Sequence, residues 1–155
     1  MPTITINVAQ NEVYDEVAKA TDYTGTKLLD TDSGARDRIR AVDENLKDLT
    51  RFWDESVSTV NERFKQLLVS GTSASTSGGN STYNMEVEIS KSFDTALTKS
   101  VESNIKSFFI MSIIGQWFKF ANKNEANDYL LQAEELLTAA ERLIYSRKRP
   151  SLPTD

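Results

Sequence analysis

Ala41-Val-Asp-Glu-Asn-Leu-Lys-Asp-Leu-Thr-Arg-Phe-Trp-Asp-Glu-Ser-Val-Ser-Thr-Val-Asn-Glu-Arg-Phe-Lys-Gln-Leu-Leu-Val-Ser70 is the stretch on which the fold turns. Apolar side chains fall at Val42, Leu46, Leu49, Trp53, Val57, Val60, Phe64 and Leu67. Their spacing is about 3.6 residues, one turn of an α-helix. Glu44, Lys47, Asp48, Arg51, Asp54, Glu55, Glu62 and Lys65 cover the opposite side, as on a solvated helix face. Phe52 and Leu68 widen the stripe, so this helix is predicted to meet two neighbours. It is expected to run from about Ala41 to Ser70 and to span about 45 Å.

Upstream, Thr3 to Val8 alternates polar and apolar residues, which predicts a short strand or extended arm. Asn7 is placed to cap a first helix over about Ala9 to Ala20, with Val13, Tyr14, Val17 and Ala18 as its stripe. Thr21 to Arg38 is polar and turn-rich, anchored by Leu28 and Leu29, and is expected to pack or to serve as a contact surface.

Downstream, Gly71 to Thr82 is a Gly/Ser-type segment expected to be a flexible loop. Tyr83, Met85, Val87 and Ile89 then alternate with Asn84, Glu86, Glu88 and Ser90, a strand pattern. Such a strand needs a hydrogen-bonded neighbour, either Thr3 to Val8 or a strand of another subunit. Ser92 or Asp94 can begin a third helix through Phe93, Leu97, Val101, Ile105 and Phe108, apolar nearly all round from Phe108 to Phe120. Asn122 to Asn124 is predicted to break it, with Asn122 and Glu125 as a capping box for a last helix. That helix carries Ala126, Tyr129, Leu130, Ala133, Leu136, Leu137, Ala140, Leu143 and Ile144 in period, and Pro150 and Pro153 end it. The expected fold is mainly α: a small bundle of about four helices with a short strand or hairpin. Residues 1–149 would form one domain and 150–155 an extended tail, since 155 residues suit a single core.

Composition narrows the chemistry. The chain has no Cys and no His, so disulfides, thiolate metal sites and imidazole bases are removed. A net charge of −5 argues against general nucleic-acid binding, with Arg147-Lys148-Arg149 as a local basic exception. Met1 to Asn7 shows no basic region followed by an apolar run, so no signal peptide is expected. The most apolar stretch, Phe108 to Lys119, is broken by Ser112, Gly115 and Gln116 and falls short of the roughly 20 residues of a membrane span.

Asp30, Asp32, Gly34 and Asp37 invite a calcium reading, but a loop counted from Asp30 puts Gly34 at position 5, Ala35 at 6 and Ala41 at 12, against the EF-hand pattern. A turn-rich loop is the reading, with an incidental cation site as its alternative. Asp43/Glu44, Asp54/Glu55 and Glu134/Glu135 are adjacent on helices, so their side chains diverge rather than converge on a pocket. Gly78-Gly79 lacks the spacing and Lys of a phosphate loop. No catalytic residue, metal set or cofactor site is therefore expected. Trp117-Phe118-Lys119-Phe120 reads as core or as a subunit interface. The tail from Tyr145 to Pro153 reads equally as a basic helix end or as a docking peptide, with Arg147, Lys148 and Arg149 meeting acidic groups and Leu152 as anchor.

The order of elements, from short helix and acidic turn at Asp30 to Asp37 through long helix, loop, strand and Phe-rich helix, to a last helix ending Ile144-Tyr145-Ser-Arg147-Lys148-Arg149-Pro150, resembles the head–tail connector (adaptor) proteins of tailed bacteriophages and prophages. The resemblance implies a homo-oligomeric ring, a dodecamer being one candidate, between portal and tail proteins in the neck of a virion assembled in the bacterial cytoplasm. It implies that DNA passes through the ring without specific binding, with no membrane involved. It also implies that Arg147 to Leu152 reaches onto the portal. Tyr83, Met85, Val87 and Ile89 are the strand residues expected at a partner interface. The alternative is a small helical-bundle module that binds one partner as a regulator or chaperone. A hydrolase using carboxylates alone is a third reading.

Overall fold

The computed structural model describes residues 2–27, 46–73, 81–121 and 123–146. Among these, strands β1 (Thr3–Ala9), β2 (Leu68–Ser73) and β3 (Thr82–Glu88) form an antiparallel sheet in the order β1-β3-β2. Helices α1 (Gln10–Lys27), α2 (Leu46–Arg63), α3 (Thr98–Ala121) and α4 (Lys123–Tyr145) make the protein mainly α, a small helical bundle with a short strand element.

The sheet follows from period-two patterning. Ile4, Ile6 and Val8 of β1 and Tyr83, Met85 and Val87 of β3 point inward, while Thr3, Thr5, Asn7, Asn84 and Glu88 face solvent. Register runs from Thr3 opposite Glu88 to Ala9 opposite Thr82, so like faces coincide along the whole pairing. Helix α3 packs behind β1 and α2 behind β2, so the helices cover one side of the sheet.

Helix α2 is shorter than its apolar spacing suggests. The expected run to Ser70 is corrected: the helix ends at Arg63, and Leu68–Ser73 is strand β2. Phe64 N–H still donates to Val60, but Leu67 N–H donates to Phe64 in a tight turn, and Glu88 N–H reaches the Leu67 carbonyl. Phe64, Leu67 and Leu68 satisfy a helical period and equally a turn that enters a strand, and β3 needs a neighbour on its second side. The eighteen described helical residues span about 27 Å. Ala41 to Asn45 lies outside the described residues.

Helix α1 is longer than expected and starts without Asn7, which sits in β1 opposite Asn84. The polar residue at its middle, Thr21, is buried and tolerated because its hydroxyl donates back toward the Val17 and Ala18 carbonyls, at 2.9 and 3.2 Å. Asp94 caps a 3-10 turn (Thr95–Leu97) by accepting from Ala96 N–H at 3.0 Å, and the turn leads into α3.

Helix α3 is the centre. It contacts α1, α2, α4 and β1, which accounts for its apolar character all round. Phe109 is its hub, 4.6 Å from the Trp53 ring and 5.5 Å from Tyr83. The outer helix α4 lays Ala126, Ala133, Leu137, Ala140 and Ile144 against it. Alanines seven residues apart let the two backbones approach closely, and Gly115 completes the fit: a Cβ there would lie 2.7 Å from the Leu130 side chain. Polar groups inside are paired. Ser56 spends its proton on the Phe52 carbonyl, its oxygen lies 3.0 Å from the Ser112 hydroxyl, and the Gln116 amide donates to Ser112.

Candidate interaction surfaces

The residues singled out from sequence separate into two groups. Tyr83, Met85 and Val87 are fully buried and Ile89 nearly so, which places them in this chain's own core. Strand β3 lies in the middle of the sheet, with β1 and β2 filling both of its hydrogen-bonding edges. The expectation that it offers an edge to a neighbouring subunit is corrected on that ground: β2, unread as a strand in the sequence, supplies the missing neighbour. Burial pushes the Tyr83 hydroxyl well above its ordinary pKa of 10.0. That hydroxyl donates to Asn61 Oδ1, while Asn61 Nδ2 donates to the Gly71 carbonyl at 3.1 Å. Arg147, Lys148, Arg149 and Leu152, the acidic turn Asp30 to Asp37, the Asn122 cap and residues 74–80 of the Gly/Ser segment lie outside the described residues. Of that segment, Gly71–Ser73 and Thr82 are strand and Ser81 is buried, bonded to Gln10 through both its N–H and its carbonyl. Trp117 and Phe118 are core, and Lys119 is exposed.

Among the described residues three surfaces remain for partners. The first is the open face of the sheet, formed by Thr3, Thr5, Asn7, Ser70, Thr72, Asn84, Glu86 and Glu88, polar and without a cation. Its rims differ. The β2 rim is broken by a bulge between Leu68 and Ser70 and covered at Gly71 by Asn61. The β1 rim runs straight, and Glu102 Oε2 accepts from its Asn7 N–H at 3.2 Å.

The second surface is the outer side of α4, where Leu131 and Tyr145 are exposed large side chains, 61% and 54% accessible. Beside it, Ser107, Met111, Gln132, Glu135 and Leu136 line a shallow groove between α3 and α4. The third is the junction of α2 with α4. There Arg63 pairs with Glu134, lies 3.6 Å from Glu141 and reaches the Thr138 hydroxyl at 3.4 Å. Glu134 and Glu135 therefore part company, one bound to Arg63 and the other facing the groove. Asp54 and Glu55 are exposed. Lys106 similarly ties α3 to Glu12 of α1 at 2.8 Å. Nothing in the sequence marked Arg63, because its partners lie 71 and more residues downstream.

Among the described residues no group of three or more Asp or Glu side chains is disposed to hold a metal ion. No described helix is long and apolar enough to cross a membrane. Compared with models of protein families, with curated proteins and with solved structures, the chain matches none.

Proposed function

We propose that this chain is a non-enzymatic structural subunit: an adaptor that assembles as a ring between the portal and tail of a tailed-phage-like particle and continues its DNA channel. The observation that supports this reading is the layout of the C-terminal half. The last helix, α4, forms an outer layer against α3, keeps Leu131 and Tyr145 on its free side, and leads directly into Arg147-Lys148-Arg149. An exposed aromatic and a basic segment at one end of a rigid helix suit contact with another protein. The chain's net charge of −5 suits a channel along which DNA slides without sticking.

The test is co-expression with a portal protein of a tailed phage, followed by sedimentation and negative-stain microscopy. Rings that co-purify with the portal are expected. A chain that stays monomeric and binds a single non-virion partner would instead favour the protein-binding module.

A further inference from the structure

The geometry points to the outer edge of β1 as a self-pairing edge, at which two copies of this chain join their sheets antiparallel into one of six strands. The backbone parity sets which groups are free. Gln10 N–H donates to Ser81 and Ile89 N–H to the Pro2 carbonyl, so even-numbered residues of β1 direct their backbone toward β3. Odd-numbered residues direct theirs away from the sheet. Asn7 N–H, on that outer side, is taken by Glu102. The outward groups of Thr3 and Thr5 have no hydrogen-bond partner among the described residues.

Between Thr3 and Thr5 this edge lacks the devices that keep strand edges apart, with no bulge, no lysine and no proline whose missing donor would face outward, and Glu102 covers it only at Asn7. Pro2 sits at an even position and leaves the outer rim intact. The β2 edge has its bulge and the Asn61 amide across Gly71. One open edge and one closed edge limit sheet extension to a pair, a closed two-fold contact.

The occupant is a second copy because the edge complements itself. With Asn7 held by Glu102, antiparallel pairing sets Thr3 opposite the partner's Thr5 and Thr5 opposite the partner's Thr3, around a two-fold axis at Ile4. Each such pair exchanges both backbone bonds. The side chains that meet are uncharged, so no like charges face each other although each copy carries −5. Ile4 is the least covered of the three inward-facing branched residues of β1, 8% exposed against 0% for Ile6 and 1% for Val8, and the axis would set it against its own mate.

Sedimentation equilibrium of the full chain over micromolar to millimolar concentration tests this, with circular dichroism on the same samples. The wild type is expected to form a reversible dimer. Thr5→Pro removes a donor that the internal ladder does not use, so it should keep the wild-type spectrum and weaken the dimer at least about tenfold. Should that variant lose its fold, the exposed double substitution Thr3→Lys with Thr5→Lys, which sets lysine opposite lysine, decides in its place. A wild type that stays monomeric overturns the proposal. So does a dimer that the informative variant leaves unchanged. Ring formation with a portal is read in a separate experiment, so either idea can fail alone.

Discussion

Trp53 shows how much one side chain carries here. It is 1% exposed, lies tilted against Phe109 and packs edge-to-face with Tyr14 at 6.5 Å. Trp53→Ala is expected to destabilise by about 3–5 kcal/mol, the range for emptying an aromatic site in a packed core. Urea unfolding measures it, and a loss below about 1 kcal/mol would mean that the α2 register is wrong. Tyr83 gives a different signature. Its folded pKa lies above the ordinary 10.0 because burial disfavours the phenolate. Its contribution to stability is whole below pH 10 and fades above it, as the unfolded chain ionises first. Stability should be flat toward pH 9 and then fall by up to about 1.4 kcal/mol per pH unit from this group. Tyr83→Phe should flatten that fall, read as the melting temperature against pH. Trp53 was legible because its neighbours Leu49 and Val57 stand one turn away on either side. Arg63 was not, since an ion pair between distant helices leaves no local pattern.

At the scale of elements, half-buried strands announced themselves and irregular ones did not. β1 and β3 alternate cleanly because one face is covered by helices and the other is wet. β2, Leu-Val-Ser-Gly-Thr-Ser, breaks its own alternation at the bulge, which leaves Val69 52% exposed, and it borrows its first apolar residue from the end of the α2 stripe. Helix α1 hid its second half behind Thr21, Asp22 and Gly25, residues that read as turn formers until Thr21 is seen bonding to its own helix. The interaction surfaces were less legible than the fold. Which rim of a sheet stays open depends on strand order, and strand order rested on β2. A central β3 also changes what proline does there. Met85→Pro removes a bond to Ile6 from the internal ladder at a fully buried site. The variant is expected to lose its cooperative thermal transition by circular dichroism. A variant that melts like wild type would contradict the central position of β3.

At the scale of the whole molecule, α4 carries the described core to its C-terminal end. The buried stripe of α4 ends at Ile144, and Ser146 closes the helix through Leu143 and Arg142. Removing Pro150 to Asp155 is expected to leave the melting temperature within about a degree of wild type, since these residues lie beyond the apolar period of α4 in the sequence. Under the adaptor reading it should also reduce capture of the portal protein, measured by co-purification. Unchanged capture would remove the docking role from Leu152, and a large drop in melting temperature would show that the tail belongs to the core.

The register that sets Thr3 against Glu88 also fixes an order of events during synthesis. Strand β1 has no mate until the roughly 70 residues between Ala9 and Thr82 have followed it. Helices close over neighbouring residues quickly, whereas this pairing must close a long loop, so the sheet should be the slow step of folding. A nascent chain stalled before Thr82 would hold β1 with both edges bare. In that interval it is most prone to aggregate and most in need of a chaperone.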